Sequence, residues 1–251
     1  MIESVLFQEK ETIVTIISEP RFIRLAKESI LFHRNELESF IRDDPFFMIT
    51  YEPYPCPSDA PEVVKRMCNA ARKAGVGPMA AVAGAIAELA VRAMVEGGAT
   101  HAIVENGGDI AMVLDRPVTV GIYTGESKIR DIGFRIIPEG NPAGLCTSSG
   151  FIGPSVSLGN THASTVYVRG RSLNEGFASD ADAFATALGN LIKDDQKKRI
   201  ESALSQFSMK GIDGGLMVVT EGHIAMRGTL PEIIRLSHRA LLSYSRILFP
   251  C

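Results

Sequence analysis

The sequence predicts an α+β fold in which antiparallel sheet is covered by paired helices. Three observations carry this. Short β-branched runs alternate with two pairs of amphipathic helical segments, near Pro61–Val95 and Asp180–Phe207. Asn106-Gly107-Gly108 joins two apolar runs, a strong hairpin signal. Low-complexity tracts and long flexible linkers are missing from all 251 residues. The chain reads as one domain over 1–251, and the repeated helix pairs suggest two pseudo-repeats, about 1–125 and 126–251.

The elements follow in order. Glu11–Ser18 is β-branched and predicts a strand. Pro20 opens an amphipathic helix to about Asp43, with Phe22, Leu25, Ile30, Leu37 and Ile41 on its apolar side. Phe46–Thr50 reads as a short strand. Glu52–Pro61 holds Pro53, Pro55, Pro57 and Pro61, so it is a stiff, extended connector. Asp59 and Glu62 form a capping-box pattern for a helix from Pro61 to about Lys73. Gly75–Pro78 breaks it before a second helix, Met79–Val95. There Glu88, Arg92 and Glu96 recur every fourth residue as one polar stripe.

His101–Glu105 and Asp109–Leu114 are the arms of the hairpin. Pro117–Tyr123, Ile132–Ile137, Leu145–Ser148 and Ser164–Arg169 are further strands. Helices follow over about Asp180–Ile192 and Asp195–Phe207. Gly215–Thr220 and His223–Met226 form a second hairpin. Thr229, Pro231 and Glu232 predict the start of a last helix, to about Leu248. Its apolar end, Ile247-Leu248-Phe249, suits either a homodimer contact or core packing.

Composition bounds the function. Hydrophobic residues make up 45% and charged residues 22%, which is ordinary for a globular protein. The formal net charge of −3 gives no indication of a nucleic-acid surface. The Met79–Val95 run is interrupted by charges, so it reads as a core helix and not as a membrane span. The N-terminus carries Glu3 and Glu9 and lacks a signal-peptide pattern, so a cytoplasmic protein is expected. Cys56, Cys68, Cys146 and Cys251 are far apart in sequence, with no CxxC, and read as reduced thiols.

Several residues have chemistry to offer. Asp182 and Thr186 stand at i,i+4 and so share a helix face, offering hard oxygens of the kind Mg²⁺ takes. The same Asp182 also completes an S-x-x-D capping pattern with Ser179. Asn106, Gly107, Gly108 and Asp109 make either a plain tight turn or a turn that a ligand approaches closely. Ala83-Gly84-Ala85 suits close helix packing or exposed backbone beside a cofactor. Thr147, Ser148, Ser149 and Gly150 form a hydroxyl-rich turn, which either bonds itself or binds phosphate. Cys146 before it is either a buried apolar residue or a persulfide carrier. His162 reads as a structural hydrogen-bonder or a catalytic group.

As a set, three segments resemble the ApbE-like superfamily of flavin transferases, across about Gly77–Leu191. Members carry GAIAKG where this chain has GAIAEL from Gly84, an N-x-GGD turn where it has VENGGDI, and ADALSTAL where it has ADAFATAL from Ala181. The resemblance implies two T-fold-like halves with a flavin nucleotide between them. It implies that the Asp182 and Thr186 side chains and the Ala85 carbonyl hold Mg²⁺ at the FAD pyrophosphate. It further implies cleavage of FAD to FMN and AMP, or transfer of FMN to a protein threonine.

Two departures and a missing lipoprotein signal point to a divergent cytoplasmic branch. Glu88 stands in place of the family's lysine. Phe151–Asn160, FIGPSVSLGN, lacks the family's Asp-Pro-x-Thr-Gly core. Some relatives in such a branch are associated with sulfur assimilation, which keeps Cys146 in view. The alternatives to a nucleotide enzyme are therefore a persulfide-handling protein or a non-catalytic oligomeric scaffold.

Overall fold

A computed structural model describes residues 1–151, 159–207, 211–236 and the backbone of 247–248. The elements are β1 (Glu3–Glu9), β2 (Thr12–Ser18), α1 (Pro20–Asp43), α2 (Phe46–Ile49), α3 (Glu62–Ala74), a 3₁₀ turn at Pro78–Ala81, and α4 (Val82–Glu96). Next come β3 (Ala102–Asn106), β4 (Asp109–Val113), β5 (Val118–Gly121), β6 (Ile132–Ile136), β7 (Ala143–Ser148) and β8 (Ala163–Arg169). The chain continues through α5 (Ala178–Leu191), α6 (Lys197–Gln206), β9 (Gly214–Val219), β10 (Ile224–Gly228), β11 (Glu232–Arg235) and β12 (Ile247–Leu248).

Eight strands form one antiparallel sheet in the order β1-β2-β3-β4-β7-β8-β9-β10. Each half of it is a hairpin, a set of helices and a second hairpin: β1–β2, α1 to α4, β3–β4, and then β7–β8, α5 and α6, β9–β10. The small sheet, β11-β6-β5-β12, packs on the other face.

Strand alternation divides the core in two. Val14, Ile16, Val104, Ala111, Cys146 and Val166 point to the helices. Ile17, Ile103, Ile110, Leu145, Tyr167 and Met217 point to the small sheet. Because both faces are covered, the central strands read as nearly continuous apolar runs.

Local expectations failed at four places. Phe46–Ile49 is a helical turn and not a strand, because the Asp44 carboxylate accepts from the Phe46 N–H at 3.0 Å and Pro45 suits a helix start. The Asp59–Glu62 capping box does not form; α3 starts without a side-chain cap, and Glu62 pairs instead with Arg66 and Arg92. The last helix does not start at Thr229–Glu232 as predicted. Glu232–Arg235 is a strand paired with β6, Ile247–Leu248 pairs with β5, and 237–246 and 249–251 lie outside the described residues. The first strand, β1, was missed, since its burial is weak on both faces.

Candidate functional site

α4 and α5 lie side by side with their first turns in contact, and each supplies a carboxylate to the other. Gly84, in the first turn of α4, makes this approach possible: a Cβ there would sit 2.3 Å from the Ala178 carbonyl oxygen and 2.9 Å from Asp182 Cβ. Gly144 on β7 does the same below α5, where a Cβ would stand 2.6 Å from Ala178 Cα.

From α5, Asp182 Oδ2 accepts the Gly84 N–H at 2.9 Å. It thereby serves one of the unpaired amides that begin every helix. From α4, Glu88 does far more. Its Oε2 accepts from the N–H groups of Phe177, Ala178 and Ser179 at 3.0, 2.9 and 3.0 Å. Its Oε1 accepts from Ser179 Oγ at 2.8 Å and from Arg66 Nη1 at 2.9 Å. Glu88 is fully buried, and a buried charge persists only when paired and hydrogen-bonded like this. Arg66 is itself held by the Leu173 and Glu175 carbonyls at 2.8 and 3.0 Å.

These contacts revise two readings. Glu88 does not lie on an outward polar stripe. The capping box expected of Ser179 and Asp182 is absent: Ser179 donates to Glu88, and Asp182 reaches the neighbouring helix. Sequence reasoning missed the Glu88–Arg66 lock, whose one signal is an acidic residue amid small apolar ones in VAGAIAELAV.

The Asn106–Asp109 turn meets the start of α4. Gly107 and Gly108 take φ of +67° and +114°, as the turn requires. Asn106 Nδ2 donates to the Ala83 carbonyl at 3.3 Å. Asp109 pairs in register with Cys146 of β7, and by alternation Asn106, Asp109, Cys146 and Ser148 all belong to the helix-facing side. Burial and the Asp109 carboxylate push the Asp182 carboxyl well above the usual range, against the Gly84 and Ala83 amides that lower it. Asp182 is buried and Asp109 half-buried.

Other residues separate. Thr147 points to the small sheet and bonds Thr165 Oγ1 at 3.0 Å. With Gly108, Val120, Tyr123 and Leu145 it lines a shallow cleft between the sheets. Ser149 Oγ accepts from the Phe151 N–H at 3.2 Å, and the Gly150 N–H donates to the Thr161 carbonyl at 3.0 Å, so this turn satisfies itself. Most of Phe151–Asn160, at 152–158, lies outside the described residues. Thr186 is half-buried on α5, one turn after Asp182. Ala85 is fully buried inside α4; Ala83 is the residue whose carbonyl meets the turn.

Cys146 is fully buried, and its thiol donates to the Ala178 carbonyl at 3.3 Å. Burial, with Asp109 and Asp182, pushes the thiol well above its ordinary range. A closed, un-ionised thiol is a poor persulfide carrier, and its setting does not support that role. His162 stacks on Phe151 at 4.9 Å and places Nε2 3.3 Å from Glu221 Oε2.

Among the described residues no group of three or more His, Cys, Asp or Glu is arranged to hold a metal. The donor set nonetheless fits a hard cation that brings ligands with it. Asp182 and Thr186 offer a carboxylate and a hydroxyl at i,i+4 on α5.

The fold is that of the ApbE class. The chain matches 90% of its length to the apo flavinyl transferase ApbE of Pseudomonas stutzeri, with TM-score 0.59, 12% identity and 94% of that chain covered. It matches the ApbE protein of Thermotoga maritima with TM-score 0.55 and 12% identity, over 96% and 99% of the two chains. More particularly, the chain belongs to the family described as AbpE bacteria, whose pattern spans residues 4–228. UPF0280 proteins are similar to it throughout. That of Methanococcoides burtonii is 49% identical over 231 residues, covering 91% of this chain and 94% of its own. That of Archaeoglobus fulgidus is 47% identical over 230 residues, covering 90% and 92%.

Proposed function

We propose that this protein binds FAD, or a closely related flavin nucleotide, with Mg²⁺ where α4, α5 and the Asn106–Asp109 turn meet, and that it cleaves FAD to FMN and AMP. The observation that carries the reading is the buried Asp182 carboxylate, bonded to the Gly84 amide at the start of α4, with the half-buried Asp109 acting on it. A divalent cation favours the charged form of such a carboxyl, and it comes with phosphate oxygens as further ligands. When bound, Mg²⁺ neutralises charge developing on phosphoryl oxygens.

The protein's own residues hold and orient. Asp182 and Thr186 present oxygens from one rigid helix face. Backbone carbonyl at the start of α4 adds another, Ala85 by resemblance and Ala83 by its position at the turn. Gly107 and Gly108 leave the turn free of side chains, so a planar or phosphorylated group can lie against it. The shallow cleft beside Thr147 adjoins the turn through Gly108 and is proposed to meet one edge of the ring system. The nucleotide then lies across the end of the large sheet, with Ser148, Ser149 and Gly150 beside it. The protein is proposed to work in the cytoplasm, with a small-molecule nucleotide as its partner and with no membrane or nucleic acid.

A second reading, flavin binding without cleavage, is favoured by Glu88. At the position where the transferases resembled here carry lysine, this chain uses its side chain to hold α5.

FAD titration with and without Mg²⁺, followed by chromatography for FMN and AMP, tests both. Mg²⁺-dependent binding that is lost in a folded Asp182→Ala variant supports the site. FMN and AMP release supports cleavage, and binding alone supports the second reading. Failure to bind FAD in either condition removes both and leaves a non-catalytic scaffold.

A further inference from the structure

The six residues after Pro45, Phe-Phe-Met-Ile-Thr-Tyr, present an apolar surface. Phe46, Met48, Ile49 and Tyr51 are 57–66% exposed, whereas Phe47 among them is fully buried. Single exposed apolar residues are ordinary, but four large ones within six positions form a patch. The segment that displays them is fixed. Phe47 meets the rings of Phe40 and Tyr54 edge-on, each at 5.1 Å. The Asp44 carboxylate accepts from the Phe46 N–H at 3.0 Å. The Thr50 carbonyl lies so close to Gly77 that a Cβ there would stand 1.9 Å from its oxygen. Held at these three points, the segment has little backbone freedom to lose on meeting a partner.

We propose that this patch is a two-fold contact with a second copy of the chain. Area and charge both favour that occupant. At these exposures each of the four side chains offers about 100 Å², and the patch about 400 Å². One side of a standard interface covers about 800 Å², of which a little over half, about 450 Å², is apolar. The patch therefore supplies nearly all the apolar area that one partner in a stable dimer needs.

Charge at the rim selects a copy of the same chain. Arg42 and Asp43 precede the patch, Glu52 follows it, and all three are exposed. A two-fold contact sets each patch against its own copy, so the rim must be complementary to itself. A rim of one sign would repel its copy, whereas Arg42 of one protomer can meet an acidic rim residue of its partner. The charged groups stay at the edge and the aromatic and aliphatic side chains at the centre, as in stable interfaces. An anionic membrane is a poor occupant, because Asp43, Asp44 and Glu52 border the patch. The apolar end of the chain is engaged elsewhere, since Ile247 and Leu248 pair with β5.

Sedimentation of the full chain over a range of about 1–100 μM tests the contact. The wild type is expected to form a concentration-dependent species of twice 27.1 kDa. Ile49→Asp puts a charge into the centre of the contact and should raise the dissociation constant roughly thirtyfold or more, the size of a hot-spot loss. Leu6→Asp, at an exposed apolar position on the edge strand β1, should leave it unchanged. Met48→Cys, with Cys56 and Cys251 replaced by serine, should give a covalent dimer with a short bismaleimide, because a residue near a two-fold axis faces its own copy. Circular dichroism of each variant keeps loss of fold apart from loss of contact. Any of four results would overturn the proposal. One is a monomer over the whole range. The second is an Ile49→Asp dimer as tight as the wild type. The third is a dimer broken by Leu6→Asp, which would place the contact at the β1 edge. The last is a monomer that sediments with phospholipid vesicles and loses them in Ile49→Asp, which would make the patch a membrane surface.

Discussion

Replacing Glu88 with alanine tests the lock between α4 and α5. The substitution removes the acceptor of three buried backbone N–H groups, of the Ser179 hydroxyl and of one Arg66 contact. A buried donor left unsatisfied costs about 1–3 kcal/mol. The first turn of α5 regains part of this by relaxing, so about 1 kcal/mol for each amide gives about 3 kcal/mol. Breaking a buried ion pair costs about 3–5 kcal/mol when the remaining charge is stranded. Arg66 is not stranded, because Glu62 and two carbonyls still hold it, so about 1–2 kcal/mol is appropriate here. The sum, about 4–5 kcal/mol, is a large part of the 5–15 kcal/mol typical of a whole domain. Urea unfolding followed by far-ultraviolet circular dichroism, at constant m, measures it. A loss below about 1.5 kcal/mol would refute the reasoning, since even one orphaned amide and a weakened ion pair exceed that. Glu88→Gln keeps the shape and one acceptor oxygen and should lose about half as much. Glu88→Lys should be worst, because it adds a cation beside Arg66 at the positive end of α5.

Three further outcomes follow from the same geometry. Asp180, with Lys73 Nζ 2.6 Å away, is pushed by burial from 3.8 to about 6. A carboxyl raised in the fold binds its proton more tightly there, so its contribution to stability falls as pH rises between about 4 and 6. Asp180→Asn should match wild type below pH 4 and exceed it by up to roughly 3 kcal/mol at pH 7, less the lost pairing with Lys73. Urea midpoints across that range decide it, and parallel curves would remove the assignment. Gly84→Ala should cost about 1–3 kcal/mol, because the new methyl meets the Ala178 carbonyl oxygen, which cannot move without α5. Thermal melts measure this. Asp182→Ala should lose only about 1 kcal/mol, the value of one cap, so it stays folded while Mg²⁺-dependent FAD binding disappears.

Much of the fold is legible in local signals. The Asn106-Gly107-Gly108 turn, the long amphipathic helix from Pro20 and the hairpin before Thr229 all announce themselves within a few residues. Glu232–Arg235 shows where such signals stop. Thr229, Pro231 and Glu232 imitate a helix start, yet the segment is a strand because β6, about a hundred positions earlier, offers an edge to pair with. Asp44-Pro45 was the overlooked opposite case, a true helix start before apolar residues that resemble a strand. In the site, Asp182 is visible through its spacing from Thr186. Its hydrogen bond to Gly84 and the task of Glu88 are not, since both partners lie in the other half of the chain. The division of Ser148 and Thr147 between the two faces becomes visible only once the register of β7 is known.

The exchange of carboxylates between α4 and α5 has a consequence for how the molecule opens. Neither helix holds the acceptor for its own first amides, so a chain cut between β4 and β7 would yield two pieces with bare helix starts. In the intact protein the amides of Gly84 and of Phe177, Ala178 and Ser179 become free only when the two helices part. Their hydrogen exchange should then report one shared opening event, and the two halves should unfold as one cooperative unit in spite of their repeated topology.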